Sequence, residues 1–169
     1  MADSFSIERR KLMRFLGARV VLTPRAEKGY GMYHKAVELA EANGWYLARQ
    51  FETSDNAKVH ENTTGREILA DFDGERLDYW VTGYGTGGTM SGAGRTLKAA
   101  RPDIKIVATE PAGAALLAGC EWSPHKIQGW TPDFIPDVLD RNIFDELMTV
   151  TDDRSIAVSR QLAAEEGIF

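Results

Sequence analysis

The sequence has 169 residues, of which 43% are hydrophobic and 27% charged, and its formal net charge is -5. This profile is that of a globular chain long enough to bury one core or two small ones. The acidic balance excludes a nucleic-acid binder that relies on a basic surface. No apolar stretch approaches the roughly 20 residues of a membrane helix, and the N-terminus lacks the apolar centre of a signal peptide. We therefore expect a cytoplasmic protein with neither a nucleic-acid nor a membrane partner.

Cysteine and histidine usage argues against disulfides and metals. Cys120 is the single cysteine, which excludes an internal disulfide and agrees with a reducing compartment. The histidines His34, His60 and His125 stand at no spacing that would make them shared ligands with Cys120. We therefore predict that the chain binds no metal.

The first fifty residues alternate between helical and strand-like patterns. Residues 4–17 begin with serines suited to an N-cap and end on a glycine, which predicts a helix. Residues 18–24 contain several β-branched side chains and end on a proline, which predicts a strand. Helical spacing returns over residues 31–44, and residues 45–51 are typical of a second strand. This αβαβ order indicates a parallel sheet, and we assign residues 1–52 to a partial N-terminal domain.

A polar stretch then separates this half from the next, which we assign to a partial C-terminal domain over residues 53–169. Residues 52–65 show no periodicity, and we interpret them as the crossing between the two domains. The patterns beyond them predict helices over 63–72, 87–102, 133–140 and 151–167, strands over 77–83, 103–111 and 144–150, and a long loop over 112–132. The predicted strand, helix and strand between residues 77 and 111 form a compact βαβ unit.

Glycines are concentrated where the first strand of this unit meets its helix. Six of the 16 glycines in the chain fall within residues 78–94. Unpaired backbone N–H groups and the positive end of the helix dipole converge at such a corner and favour a bound anion, above all phosphate. Three glycines leave the backbone open and two threonines add hydroxyls: Gly85, Thr86, Gly87, Gly88 and Thr89. We predict a phosphate-binding site here, rather than a turn with no ligand.

The residues alone leave two kinds of phosphate ligand open. The nucleotide P-loop is excluded, because its lysine is missing. A dinucleotide fingerprint matches, since Gly83, Gly85 and Gly88 give G-x-G-x-x-G and Glu110 follows about 20 residues later, where a ribose-binding acid belongs. The additional Gly87 and the flanking threonines suit a compact phosphate monoester at least as well.

Four motifs together resemble one enzyme family. They are "QFE" at 50–52, "HENTTGREI" at 60–68, "GTGGT" at 85–89 and "HKIQGWTPDFIPDVLD" at 125–140. In this order, and across essentially the whole chain, they are similar to the cysteine synthase (O-acetylserine sulfhydrylase) branch of the pyridoxal-phosphate β-family. The resemblance implies an α/β fold like that of tryptophan synthase β, with three-layer parallel or mixed sheets and flanking helices, here incomplete.

The resemblance also implies a cofactor, a reaction and roles for matched residues. Pyridoxal 5'-phosphate is the cofactor, and residues 85–89 would cradle its phosphate. Gln50 matches the family's glutamine near the substrate carboxylate, and Gly129 matches the glycine beside the active-site mouth. The implied reaction is β-replacement, which converts O-acetylserine and sulfide to cysteine and acetate. The implied partners are a small amino-acid substrate and, at full length, a second copy of the same chain.

Two motifs of the family are missing from the sequence. The Ser-x-Lys-Asp-Arg motif carries the lysine that binds the cofactor covalently, and the Thr-Ser-Gly-Asn-Thr-Gly loop contacts substrate and cofactor. The family's serine partner of the pyridine nitrogen lies beyond the matched residues. We therefore assign no catalytic residue and expect the middle portion of a longer enzyme, inactive by itself. Two alternatives remain: an enzyme like cystathionine β-synthase, or a non-catalytic module that binds phosphate or, through residues 83–88 and Glu110, a dinucleotide.

Overall fold

The computed structural model describes residues 1–169 and divides them into two units, Met1–Ala48 and Arg49–Phe169. The first unit contains two helices, and the second contains a sheet with four helices. None of the helices combines the length and the apolar character that a bilayer crossing requires.

Helices account for most of the first unit. Helix α1 spans Ile7–Phe15, and the Ser6 hydroxyl accepts a hydrogen bond from the N–H of Arg9, which caps the helix. Helix α2 spans Lys28–Asn43 and ends at Gly44, whose left-handed backbone closes the last turn. Both helices and both caps confirm the sequence prediction.

The two strands predicted around these helices are wrong. Residues 18–24 make one isolated parallel bridge, between Ala2 and Thr23, and residues 45–51 make no strand pairing. A strand is stable only where a neighbour pairs with its backbone donors and acceptors. Within this unit the neighbouring segment is only the first three residues. The N-terminal ammonium donates to the Val21 carbonyl at 2.8 Å, and the backbone pairing ends between Asp3 and Thr23. The β-branched side chains of residues 18–24 therefore lack the partner strand that their propensity requires.

A three-stranded parallel sheet lies at the centre of the second unit. Its strands follow chain order: β1 (Tyr79–Gly83), β2 (Lys105–Pro111) and β3 (Glu146–Val150). Val81 pairs with Val107, and Thr109 pairs with Met148. The central strand β2 is buried at every position after its first residue. The three strands and the α/β class with a parallel sheet are thus confirmed.

Four helices accompany the sheet: α3 (Ser54–Asn62), α4 (Thr64–Asp71), α5 (Gly88–Ala100) and α6 (Asp152–Glu166). The last three confirm predicted helices, and the Thr151 hydroxyl caps α6 by accepting from the N–H of Arg154. Helix α3 corrects the interpretation of residues 52–65 as a crossing without structure. Its sequence shows no apolar period because the helix buries one residue only, Ala57.

The short helix predicted over residues 133–140 is wrong. These residues form turns and irregular backbone instead. Pro136 stands in the middle of the segment, where it lacks the N–H that a helix needs and disfavours helical backbone at Ile135.

The core of the second unit lies between α5 and the sheet. Met90 and Leu97 on α5 and Ala108 on β2 have no exposed surface. Tyr84, which follows β1, and Leu139 form one buried cluster with Met90 and Ala108. The start of α5 is therefore held against the carboxyl ends of β1 and β2, which fixes the glycine turn between them.

Asp145 ties the start of β2 to α5 and should make stability depend on pH. Its carboxylate accepts from Lys98 Nζ at 2.6 Å and from the Ile106 N–H at 2.7 Å. These hydrogen bonds, chiefly the one from Lys98, hold the pKa of Asp145 below its ordinary value. A carboxyl group with a depressed folded-state pKa stabilises the fold above its unfolded-state pKa, and this contribution is lost as the pH falls through the folded-state pKa.

We therefore expect Asp145→Asn to lower the free energy of unfolding at neutral pH, and the difference from the wild type to shrink below about pH 4. Urea denaturation across this range measures the effect. Asp103→Asn is the control, because Asp103 is exposed and enters none of the ion pairs. A constant difference between wild type and Asp145→Asn from neutral to strongly acidic pH would contradict this account.

Candidate phosphate-cofactor site

The predicted corner of strand, glycine turn and helix start is present. Strand β1 ends at Gly83 and α5 begins at Gly88. Gly87 is the N-cap of α5 and has a φ of 86°, in the left-handed region that favours glycine. The N–H groups in the first turn of any helix lack intrahelical acceptors, so the positive end of α5 opens at this turn.

The backbone donors of the turn are unpaired within the protein. The N–H groups of Gly85, Thr86 and Gly87 donate to no protein acceptor, and the Gly88 N–H makes only a long bond of 3.4 Å to the Thr86 hydroxyl. Consecutive unpaired N–H groups beside a helix N-terminus are the donor set that binds phosphate oxygens. The donors of this turn therefore fit a phosphate group.

Protein atoms pack against each of the three glycines from the side where a Cβ would stand. A Cβ on Gly85 would lie 2.5 Å from the carbonyl oxygen of Gly129, and one on Gly87 would lie 2.6 Å from the Cβ of Leu139. A Cβ on Gly88 would overlap the amide of Asn56. The glycines thus let neighbouring segments approach the turn closely, and this packing fixes where its N–H groups point.

Asn56 joins α3 to the turn. Its Nδ2 donates to the Gln50 carbonyl at 2.7 Å and to the Thr86 hydroxyl at 2.8 Å. Sequence reasoning missed this residue, because it stands in a polar stretch about thirty residues before the turn and no local pattern marks it. Gln50 is thereby held beside the corner through its backbone carbonyl, and its side chain is exposed.

His60 makes a second connection between α3 and α5. Its Nε2 lies 3.1 Å from the Thr89 hydroxyl, and its Nδ1 lies 2.9 Å from the Thr64 hydroxyl. The imidazole fits there because a Cβ on Gly92 would overlap the carbonyl oxygen of Ala57, so only glycine lets α3 approach α5 this closely. The sequence analysis placed His60 at the start of the matched motif over residues 60–68 and rejected it as a metal ligand, but it did not predict this contact.

The long loop closes the other side of the corner. Gly129 has a φ of 84°, and its carbonyl oxygen packs on Gly85. The ring of Trp130 covers Gly83 so closely that a Cβ there would overlap it. The Thr131 N–H donates to the Tyr84 carbonyl at 2.8 Å. The structure therefore brings together all seven residues predicted for the site: Gly85, Thr86, Gly87, Gly88, Thr89, Gln50 and Gly129.

Glu110, the candidate ribose-binding acid, has a different role. Its side chain is fully buried and accepts hydrogen bonds from the Tyr84 hydroxyl at 2.8 Å and from the N–H groups of Leu117 and Ala118 at 2.8 and 3.2 Å. Burial, followed by the bond to Glu110, raises the pKa of the Tyr84 hydroxyl, which keeps it a neutral donor. Glu110 therefore anchors the residue before the glycine turn and is not accessible to a ribose.

Comparison with known proteins identifies the family. The profile described as "Pyridoxal-phosphate dependent enzyme" matches residues 1–169. The chain is 52% identical over 169 residues to the O-ureido-L-serine synthase of Streptomyces lavendulae, covering 100% of this chain and 52% of that protein. It is 45% identical to the cysteine synthase of Staphylococcus aureus, covering 100% of this chain and 54% of that protein.

Solved structures agree in fold. A crystal structure of O-ureido-L-serine synthase superposes with a TM-score of 0.95 at 52% identity, covering 100% of this chain and 54% of that one. Cysteine synthase from Entamoeba histolytica superposes with a TM-score of 0.91 at 33% identity, covering 99% and 50%. The chain thus spans about half the length of these relatives. It belongs to the family of pyridoxal-phosphate-dependent enzymes.

Proposed function

We propose that this chain is the middle portion of a β-replacement enzyme of the cysteine synthase type, acting on an activated serine. The observation that carries the proposal is the row of unpaired N–H groups at the start of α5, in a chain whose family uses pyridoxal phosphate. When bound, the cofactor supplies an electron sink that allows the α-proton and the β-substituent of the substrate to leave.

The turn residues bind the cofactor through its phosphate. The N–H groups of Gly85, Thr86 and Gly87 donate to phosphate oxygens, and the dipole of α5 favours the negative charge. Thr89 adds its hydroxyl from the first turn of the helix. Support comes from the absence of protein acceptors for these N–H groups and from the packing that fixes the turn.

Gln50 and Gly129 flank the phosphate site on the substrate side. The backbone of Gln50 is anchored by Asn56, which leaves its exposed side-chain amide free to donate to a substrate carboxylate. The carbonyl of Gly129 packs on Gly85 and forms the opposite edge. These two residues position the amino acid and do not move protons.

The covalent anchor of the cofactor comes from outside these 169 residues. Covalent attachment requires a lysine amine that is free to attack the cofactor aldehyde. The Ser-x-Lys-Asp-Arg motif that carries this lysine in the resembled family is absent from the sequence. We infer that the isolated chain is inactive and that the complete enzyme is cytoplasmic, and the family resemblance implies a homodimer.

Three nucleophiles are candidates for the second half of the reaction. Sulfide attack on the β-carbon forms the C–S bond of cysteine, as the similarity to cysteine synthases suggests. Attack by the hydroxyl oxygen of hydroxyurea would form O-ureido-L-serine instead, and the 52% identity to O-ureido-L-serine synthase favours this second candidate. A thiol amino acid is the third option, since an O-acetylserine-dependent cystathionine β-synthase from Helicobacter pylori superposes with a TM-score of 0.91 at 37% identity.

Segment exchange tests the proposal. The 169 residues replace the matching segment of the Staphylococcus aureus cysteine synthase and, separately, that of the Streptomyces lavendulae O-ureido-L-serine synthase. We expect both chimeras to depend on pyridoxal phosphate for β-replacement on O-acetylserine, and the isolated chain to be inactive. The ratio of sulfide to hydroxyurea turnover, compared with each parent, reports which nucleophile these residues favour. Chimeras that unfold cooperatively but bind no pyridoxal phosphate would refute the proposal.

A further inference from the structure

His60 lies between two threonine hydroxyls, and the hydrogen bonds through its ring must run in one direction or the other. A neutral imidazole carries one N–H donor and one acceptor nitrogen, so Nδ1 and Nε2 cannot play the same role at once. Nδ1 lies 2.9 Å from the Thr64 hydroxyl, and Nε2 lies 3.1 Å from the Thr89 hydroxyl. Two tautomers are possible, and they orient the Thr89 hydroxyl in opposite ways.

With the proton on Nε2, His60 donates to the oxygen of Thr89, whose own hydrogen is then free to point into the corner. With the proton on Nδ1, the Thr89 hydroxyl is drawn toward His60 as a donor, and its lone pairs face the corner instead. An anion at the start of α5 is stabilised by donors and repelled by lone pairs. Only the tautomer with Nε2–H thus adds a hydrogen bond to a bound phosphate.

Thr64 contacts the other nitrogen of the ring, Nδ1. Its hydroxyl is half-buried in the first turn of α4, and the imidazole of His60 is its one protein partner. If Thr64 donates to Nδ1, that nitrogen must be unprotonated and the proton must reside on Nε2. Each hydrogen bond is then donated in the same direction, from Thr64 to His60 and from His60 to Thr89.

We propose that Thr64 is a positioning residue, which holds His60 in the Nε2–H tautomer and thereby aims the Thr89 hydroxyl at the cofactor phosphate. The last step rests on the proposed function, whereas the choice of tautomer does not. Close packing of α3 on α5 at Gly92 keeps the imidazole in place. The position of the ring is therefore fixed, and only the direction of its hydrogen bonds can change.

Long-range ¹H–¹⁵N spectra of the 169-residue chain, at a pH where imidazole is neutral, report the tautomer of each histidine ring. The His60 signals are those lost in His60→Gln. We expect the Nε2–H pattern in the wild type and in Thr64→Ser, which keeps the hydroxyl, and a mixture of tautomers in Thr64→Val. Thr63→Val is the matched control, because the neighbouring Thr63 hydroxyl donates to the Val59 carbonyl and not to His60; its spectrum should match the wild type.

Calorimetric titration with inorganic phosphate supplies the second measurement. We expect Thr64→Val to weaken phosphate binding about two-fold, because roughly half of the His60 rings would then hold the tautomer that turns the Thr89 hydrogen away from the phosphate, with Thr64→Ser and Thr63→Val near wild type. A wild-type Nδ1–H pattern, or an unchanged pattern in Thr64→Val, would overturn the role of Thr64. If the wild type and the variants show the expected tautomers but the wild type binds no phosphate, the proposed function and the role of Thr89 toward phosphate are overturned. The tautomer assignment is supported in that case.

Discussion

Replacement of Gly87 by alanine is expected to abolish phosphate binding and to destabilise the second unit. Gly87 has a φ of 86°, and placing alanine in this left-handed conformation costs about 1–2 kcal/mol. The new Cβ would also lie 2.6 Å from Leu139 Cβ and 2.8 Å from Leu139 Cα, so a buried core residue would have to shift with its backbone. Together these effects should lower the free energy of unfolding by roughly 2–5 kcal/mol.

Gly119→Ala is the matched control for this substitution. Gly119 has a φ of 81°, so alanine there meets the same dihedral strain, but no atom lies within 4 Å of its added Cβ. We expect a loss of about 1–2 kcal/mol in urea denaturation, with phosphate affinity unchanged in calorimetric titration. Equal losses of stability and of phosphate affinity in the two variants would show that the turn at Gly87 has no special role.

Gly92→Ala is expected to destabilise the protein although it lies inside a helix. Exchange of glycine for alanine at such a position normally stabilises by about 1 kcal/mol. Here the added Cβ would overlap the carbonyl oxygen of Ala57 and lie 2.9 Å from the His60 Cβ, so α3 must move away from α5. We expect a net loss of about 1–3 kcal/mol in urea denaturation, together with loss of the contact between His60 and Thr89.

Gly94→Ala, on the same helix, controls for the change in helix propensity. Its Cβ would lie 2.7 Å from Cγ1 of Ile143, a partly buried side chain that can adjust more easily than a backbone carbonyl. Gly94→Ala should therefore cost less than Gly92→Ala. A Gly92→Ala variant more stable than the wild type would contradict the close packing of the two helices.

Local patterns were sufficient to predict the βαβ unit. The apolar runs that became β1 and β2, and the glycine-opened helix between them, each carry their signal within a few residues. The prediction of strands in the first half was wrong because a strand forms only where a partner, often distant in sequence, pairs with it. Within residues 18–24 only Thr23 has such a pairing, with Ala2. Helix α3 was missed for a related reason, since one buried alanine produces no hydrophobic period.

The site was predicted in part. The glycine turn was visible in the sequence because strand ends, glycines and threonines occur together there. Asn56 and His60 reach it from α3 through tertiary contacts that no spacing in the sequence reveals. The interpretation of Glu110 as a ribose-binding acid was wrong although its position in the sequence suits that role. Its carboxylate already accepts hydrogen bonds from the N–H groups of Leu117 and Ala118 and from the Tyr84 hydroxyl.

The most direct test of the phosphate site is amide mapping with pyridoxamine 5'-phosphate, which keeps the phosphate of the cofactor but has no aldehyde to react with surface lysines. ¹H–¹⁵N spectra of the 169-residue chain are recorded during the titration. We expect saturable binding with the largest shifts at the amides of residues 85–89. Saturable binding that leaves those amides unperturbed, or no saturable binding at all, would contradict it.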